Sequence, residues 1–158
     1  MAYTLGSRSM ANLAGVEPRL MRLVQRAITL TTMDFGVAGK AVRSAMEQHE
    51  LYLKGVSQKD GYRHKSNHQP HVDGFGYAVD LTPFINGQFD VNNLAAQYPI
   101  AAAMSRASAQ LGIPVTWGGN WIEPLTGETV RDMTALVARY KQQHSGPDWI
   151  DLPHFQLR

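Results

Sequence analysis

The chain has 158 residues, 44% of them hydrophobic, and a formal charge of +2 from 15 Lys and Arg against 13 Asp and Glu. That is enough for one core and sets an expectation of a single domain spanning 1–158. It has no cysteine, which excludes disulfides, thiolate metal sites and a cysteine nucleophile, so any metal would be held by His and carboxylate.

Residues up to about Gly15 read as an irregular arm. No basic cluster and apolar stretch of a signal peptide stands there. Glu17-Pro18 reads as a helix start, and Leu20, Val24, Ala27 and Ile28 continue a helical stripe to about Leu30. Phe35-Gly36-Val37 suits a short strand, and a second helix is expected from about Val42 to Lys54, stopped by Gly55. Residues 56–76, rich in Ser, Lys, Gly, His and Asp, read as loop.

Tyr77 to Leu81 has strand character and is expected to end by Pro83, and Asn86-Gly87 marks a turn before Phe89. Helical sequence resumes near Leu94, with a restart expected at Pro99 and a stop at Gly112. Ile113 to Trp117 reads as a strand. Met133, Leu136, Val137 and Tyr140 mark a last helix closed by Gly146-Pro147, and His154 to Leu157 suits a final strand. Helices and strands do not alternate regularly, so the expected class is α+β, a small antiparallel sheet with flanking helices. No apolar run reaches the length of a membrane span, and no basic stripe interleaved with aromatics points to nucleic acid.

The chemistry-bearing residues fall in two places. Three of the six histidines, His64, His68 and His71, crowd into one loop just before Ala78-Val79-Asp80-Leu81. An aspartate within an apolar strand needs a partner, because burying an unpaired carboxylate is costly, and a metal is one such partner. Two histidines and one carboxylate form a catalytic zinc set that leaves the fourth position to water, whose pKa the ion lowers to about 7. The bland alternative is a solvated polar loop. The second place is Asp151-Leu152-Pro153-His154-Phe155, where Pro153 disfavours helix and a turn entering a strand would bring Asp151 and His154 into one pocket. Asp151 would then accept a proton from a water. Its alternative is a C-terminal surface turn.

These residues resemble a known family. Ser9-Met10-Ala11-Asn12-Leu13-Ala14-Gly15-Val16, Ser66-Asn67-His68, Gly76-Tyr77-Ala78-Val79-Asp80, Trp117-Gly118-Gly119-Asn120-Trp121 and Asp151-Leu152-Pro153-His154-Phe155 follow, in order, motifs of the D-Ala-D-Ala carboxypeptidase/VanY-like metallopeptidases. The resemblance is to the phage endolysins of the L-alanyl-D-glutamate peptidase type. Asp34-Phe35-Gly36-Val37, Arg43-Ser44 and Gln48 are similar to the family's strand, arginine and helix.

The resemblance implies zinc bound by His68, Asp80 and His154, Asp151 as general base, and Arg43 holding the oxyanion or the substrate. It implies a monomeric peptidase cutting the L-Ala–D-Glu bond of the peptidoglycan stem peptide during host lysis. Without a signal peptide, such a protein is expected to be made in the host cytoplasm and to reach the wall after membrane permeabilisation, with no stable membrane insertion. No separate wall-binding domain is expected in this length. A D-Ala-D-Ala carboxypeptidase or dipeptidase on the same scaffold is the neighbouring alternative, and a non-catalytic, metal-stabilised wall-binding module is the more distant one.

The sequence departs from the family pattern three times. His68 and Asp80 stand about one helical turn further apart than usual, which leaves His71 as an alternative ligand, although Ser66 two residues before His68 favours His68. Asn120 replaces an aspartate. Ile122 to Ile150 reads as an insertion carrying the last helix, either shaping the substrate groove or covering the surface.

Overall fold

The computed structural model describes residues 2–158. Five helices surround two small antiparallel sheets, so the α+β expectation holds. The helices are α1 (Ser7–Asn12), α2 (Pro18–Leu30), α3 (Ala45–Leu53), α4 (Leu94–Leu111) and α5 (Val130–Gln143). The strands are β1 (Phe35–Gly36), β2 (Ala78–Asp80), β3 (Thr82–Ile85), β4 (Gln88–Phe89), β5 (Val115–Trp117), β6 (Asn120–Leu125) and β7 (His154–Leu157). One sheet has the order β1-β3-β4 and the other β2-β7-β5-β6.

The helix starts follow from their caps. Glu17 accepts hydrogen bonds from the Arg19 and Leu20 amides, and Pro18 at the first turn gives up no intrahelical bond. The α2 stripe Leu20, Leu23, Val24, Ala27 and Ile28 is buried and packs against α4, whose Ala101, Ala102, Ala103 and Ala107 allow close approach. Ser44 and Glu47 form a capping box on α3, as Thr129 and Asp132 do on α5. Asn86 and Gly87, with φ of 51° and 81°, make the tight β3–β4 turn.

Three expectations are corrected. The opening segment is not irregular throughout, since residues 7–12 form α1. Its Ser9 is the one buried residue in it, and the Ser9 Oγ accepts from the Val37 amide at 3.1 Å, so a tertiary contact fixes this helix. Helix α4 runs unbroken through Pro99. The carbonyl that Pro99 leaves without a donor belongs to Ala95, which is exposed to water. Pro83 does not end the strand region but lies inside β3, which begins two residues after β2 closes.

The stretch from Ile122 onward is no surface covering. Residues up to Leu125 complete β6, and α5 buries Met133, Leu136 and Tyr140 while packing on α4 and β6.

Strand β7 lies between β2 and β5, and the turn before it is seated on the glycine pair after β5. The Gly118 amide donates to the His154 carbonyl at 2.9 Å, and the Asp151 amide donates to the Gly118 carbonyl at 3.0 Å. A Cβ on Gly118 would meet the Asp151 carbonyl oxygen at 2.1 Å and Trp121 at 3.0 Å. The Asp151–His154 turn therefore depends on the missing side chain. Trp117 is wholly buried and its indole N–H donates to the Leu152 carbonyl at 2.7 Å, tying the same turn down from the other side. Gly118→Ala is expected to push this turn outward and cost about 1–3 kcal/mol of stability, measured by urea unfolding, with Gly39→Ala, where an added Cβ meets nothing within 4 Å, as the control.

Candidate metal centre

Asp80 and His154 are direct cross-strand partners in the antiparallel β2–β7 pair. Such partners project to one face with their Cβ atoms about 5 Å apart, so strand register alone brings the carboxylate to the imidazole. His68 comes from the loop before β2. Its carbonyl accepts from the Arg43 amide at 2.8 Å, and the Tyr77 amide donates to the Asn67 carbonyl at 2.7 Å, closing the chain behind it.

The longer His68–Asp80 spacing is absorbed in between. Residues 70–75 form an exposed excursion, held by the His71 amide donating to the Phe75 carbonyl at 2.9 Å. This excursion carries His71 outward, where its ring stacks on Tyr77 at 4.2 Å. His68 is 2% exposed and faces the centre. His64 lies on the surface beside Asp60.

Three ligand-type atoms converge. His68 Nε2 stands 3.2 Å from His154 Nδ1, and each stands 3.3 Å from Asp80 Oδ1. The outer nitrogen of each ring is already engaged. His68 Nδ1 lies 2.8 Å from the Ala41 carbonyl, which can only accept, and His154 Nε2 lies 2.9 Å from Gln156 Oε1. Each ring therefore carries its proton outward and turns a lone pair inward. Asp80 Oδ1 is buried and accepts no hydrogen bond. Three lone pairs directed at one point repel each other unless protons or a cation lie between them. Atoms bound to one tetrahedral ion at about 2.0–2.1 Å would stand about 3.3 Å apart. The observed triangle matches that figure, so the residues fit a divalent cation.

The electrostatics carry the same signature. Burial opposes ionisation of Asp80, yet His68 and His154 outweigh it and hold the carboxyl well below the usual range. Burial also opposes protonation of His154, but Asp80, then Gln156 and Asp151, raise its pKa above the ordinary imidazole value. The other Asp80 oxygen, Oδ2, accepts from Arg43 Nη2 at 2.6 Å. Arg43 is thus fixed against the metal-site carboxylate.

Asp151 lines the same cavity, about 730 Å³, together with Arg43, Trp121, Tyr140 and Trp149. Its pKa is raised, by burial first and then by the negative charge of Asp80. The structure thus gathers Arg43, His68, Asp80, Asp151 and His154 around one cavity and leaves out His71. The Asn120 side chain does not line this cavity. It is buried in β6, where Oδ1 accepts from the Ile122 amide at 3.4 Å.

Gln156 was legible in principle, since it sits two residues after His154 on one strand and must share its face. The aromatic wall was less so. The Trp121 ring lies 5.1 Å from His154, and its indole N–H donates to the Trp149 carbonyl at 2.7 Å, a contact that spans 28 residues.

The family described as phage L-alanyl-D-glutamate peptidase matches residues 1–137. The chain belongs to this family. An L-alanyl-D-glutamate peptidase of Escherichia phage T5 is 31% identical over 122 residues, covering 77% of this chain and 83% of the relative. The crystal structure of the Serratia marcescens L-Ala D-Glu endopeptidase ChiX is similar with a TM-score of 0.66 and 29% identity, covering 96% of this chain and 87% of that one. The family match includes Arg43, His68 and Asp80 but stops within α5, so Asp151 and His154 join the site through the geometry above.

If the centre holds a divalent cation, His68→Ala is expected to abolish its tight binding, while His71→Ala, which removes only the stacked ring on the excursion, retains it. Metal analysis after gel filtration measures both. Binding by the parent chain should weaken as pH falls, because protons compete with the ion for two imidazoles and a carboxylate.

Proposed function

We propose that this protein is a zinc-dependent endopeptidase that hydrolyses the L-Ala–D-Glu bond in the stem peptide of bacterial peptidoglycan. The observation that carries the proposal is the triangle of His68 Nε2, Asp80 Oδ1 and His154 Nδ1, with edges of 3.2–3.3 Å and its lone pairs turned inward. With no cysteine in the chain, two imidazoles and one carboxylate make a donor set suited to catalytic zinc. The bond follows from the family and from relatives named for it.

When bound, the ion would acidify a water in its open position and polarise the scissile carbonyl. The remaining work falls to this chain's own groups. Ala41 and Gln156 hold the two imidazoles in the tautomers that face the centre. Asp151 takes the proton of the attacking water and delivers it to the departing D-Glu nitrogen. Its raised pKa brings it closer to neutrality and makes it a stronger base than an ordinary aspartate. Arg43, anchored by Asp80, places positive charge where the carbonyl oxygen becomes negative. Trp121 lies against the imidazole of His154, and Trp149, whose carbonyl holds the Trp121 indole, lines the same cavity.

The protein acts in this reading as a single-domain monomer on the wall, reached after the host membrane is permeabilised, and needs no nucleic-acid partner. Among the described residues no helix is long and apolar enough to cross a membrane.

Digestion of purified peptidoglycan should expose new D-Glu amino termini, stop with a strong chelator and resume with zinc. Release of D-Ala without new D-Glu termini would instead mark a carboxypeptidase. Asp151→Asn is expected to keep its zinc and lose about 10²–10⁴-fold in rate. Zinc content measured beside initial hydrolysis rates separates this outcome from loss of a ligand.

A further inference from the structure

Two unlike groups of residues line the cavity. Trp121, Tyr140 and Trp149 are aromatic, and the loop between α3 and His68 contributes Lys59 and Lys65. This loop is tightly fastened. Gln48, wholly buried on α3, donates from Nε2 to the Ser57 hydroxyl at 2.8 Å and to the Lys59 carbonyl at 2.9 Å. Gln69, also buried, donates to the Gly61 carbonyl at 2.8 Å and accepts from the Ser66 amide at 2.9 Å. Asp60 Oδ1 accepts from the Tyr62 and His64 amides, both at 2.9 Å. Gly61, at φ of +82°, lies so close to α3 that a Cβ would meet the Ala45 carbonyl at 2.7 Å.

The backbone beneath both lysines is thus pinned by two buried glutamines, while both residues line the cavity and are exposed to solvent. Neither lysine has an ion-pair partner among the described residues. The cavity's carboxylates are Asp80, taken by Arg43 and the two histidines, and Asp151. Two unpaired ammonium groups held over a cleft are complementary to an anion on whatever occupies it.

The proposed substrate supplies that anion close to the scissile bond. Whichever carboxyl of D-Glu continues the peptide, its other carboxyl stays free and ionised a few bonds from the nitrogen that leaves. We propose that Lys59 and Lys65 are specificity-determining residues that bind this free carboxylate, so that the 57–66 loop selects an acidic residue on the amine side of the cut. This rests on the peptidase reading above and names the chemical group by which the site recognises its substrate.

The test compares two soluble stem peptides that differ only in this group, one with the free D-Glu carboxylate and one with its carboxamide, cleaved by the zinc-loaded parent chain and by Lys59→Gln/Lys65→Gln. The parent chain should prefer the carboxylate in kcat/KM by roughly 10-fold or more, mainly through KM, as loss of a charge-assisted contact predicts. In the double variant the preference should collapse toward one, because kcat/KM on the carboxylate peptide falls to the level of the carboxamide. Circular dichroism and zinc content establish that the variant is folded and loaded, and Lys59→Arg/Lys65→Arg, which keeps both charges, should retain most of the preference. A preference that survives the double Gln substitution overturns the assignment, as does a parent chain that cleaves both peptides equally. If the parent chain cleaves neither peptide, the peptidase reading itself fails and takes this assignment with it.

Discussion

The pairing of β2 with β7 is the constraint on which the rest depends. It sets Asp80 opposite His154, and a slip of one residue would turn both side chains to the other face of the sheet. Several features guard against that slip. Strand β7 is paired on both sides, to β2 and to β5. The turn that enters it rests on Gly118 and is tied by the Trp117 indole to Leu152. Phe155 and Leu157, the alternate residues of β7, are buried in the core, so the slipped register would also expose them. Core packing and site geometry are fixed by the same alternation.

That precision has an electrostatic cost in the chain by itself. Two imidazole lone pairs and a buried carboxylate oxygen aimed at one point repel, and only added protons or a cation relieve this. Arg43 offsets part of it by binding Asp80 Oδ2, and its backbone amide is bonded to the His68 carbonyl, so one residue steadies two corners of the triangle. A cation at the centre would relieve the remainder, which couples metal binding to the stability of the native arrangement.

Much of this was readable in the sequence because the relevant signals are local. The α2 boundaries follow from Glu17-Pro18 and an apolar stripe, and the β3–β4 turn follows from Asn86-Gly87. What stayed hidden depends on contacts distant in sequence. Helix α1 has no side-chain cap and no apolar face, and it is held by Ser9 against Val37. Strand β6 falls partly in the stretch that reads as an insertion and contains Pro124, whose missing amide donor is tolerated because β6 is an edge strand. The metal-site residues stood out as residue types, but the choice between His68 and His71 needed the 70–75 excursion, and the imidazole tautomers needed Ala41 and Gln156.

The central claim is that one cation belongs at the meeting point of three specific atoms. Anomalous diffraction at the zinc edge, from crystals of the zinc-loaded protein, tests this directly. The account predicts a single strong peak about 2.0–2.1 Å from His68 Nε2, His154 Nδ1 and Asp80 Oδ1. A peak bound through His71, a peak among the acidic side chains Glu123, Glu128 and Asp132 between β6 and α5, or no ordered zinc at all would contradict it.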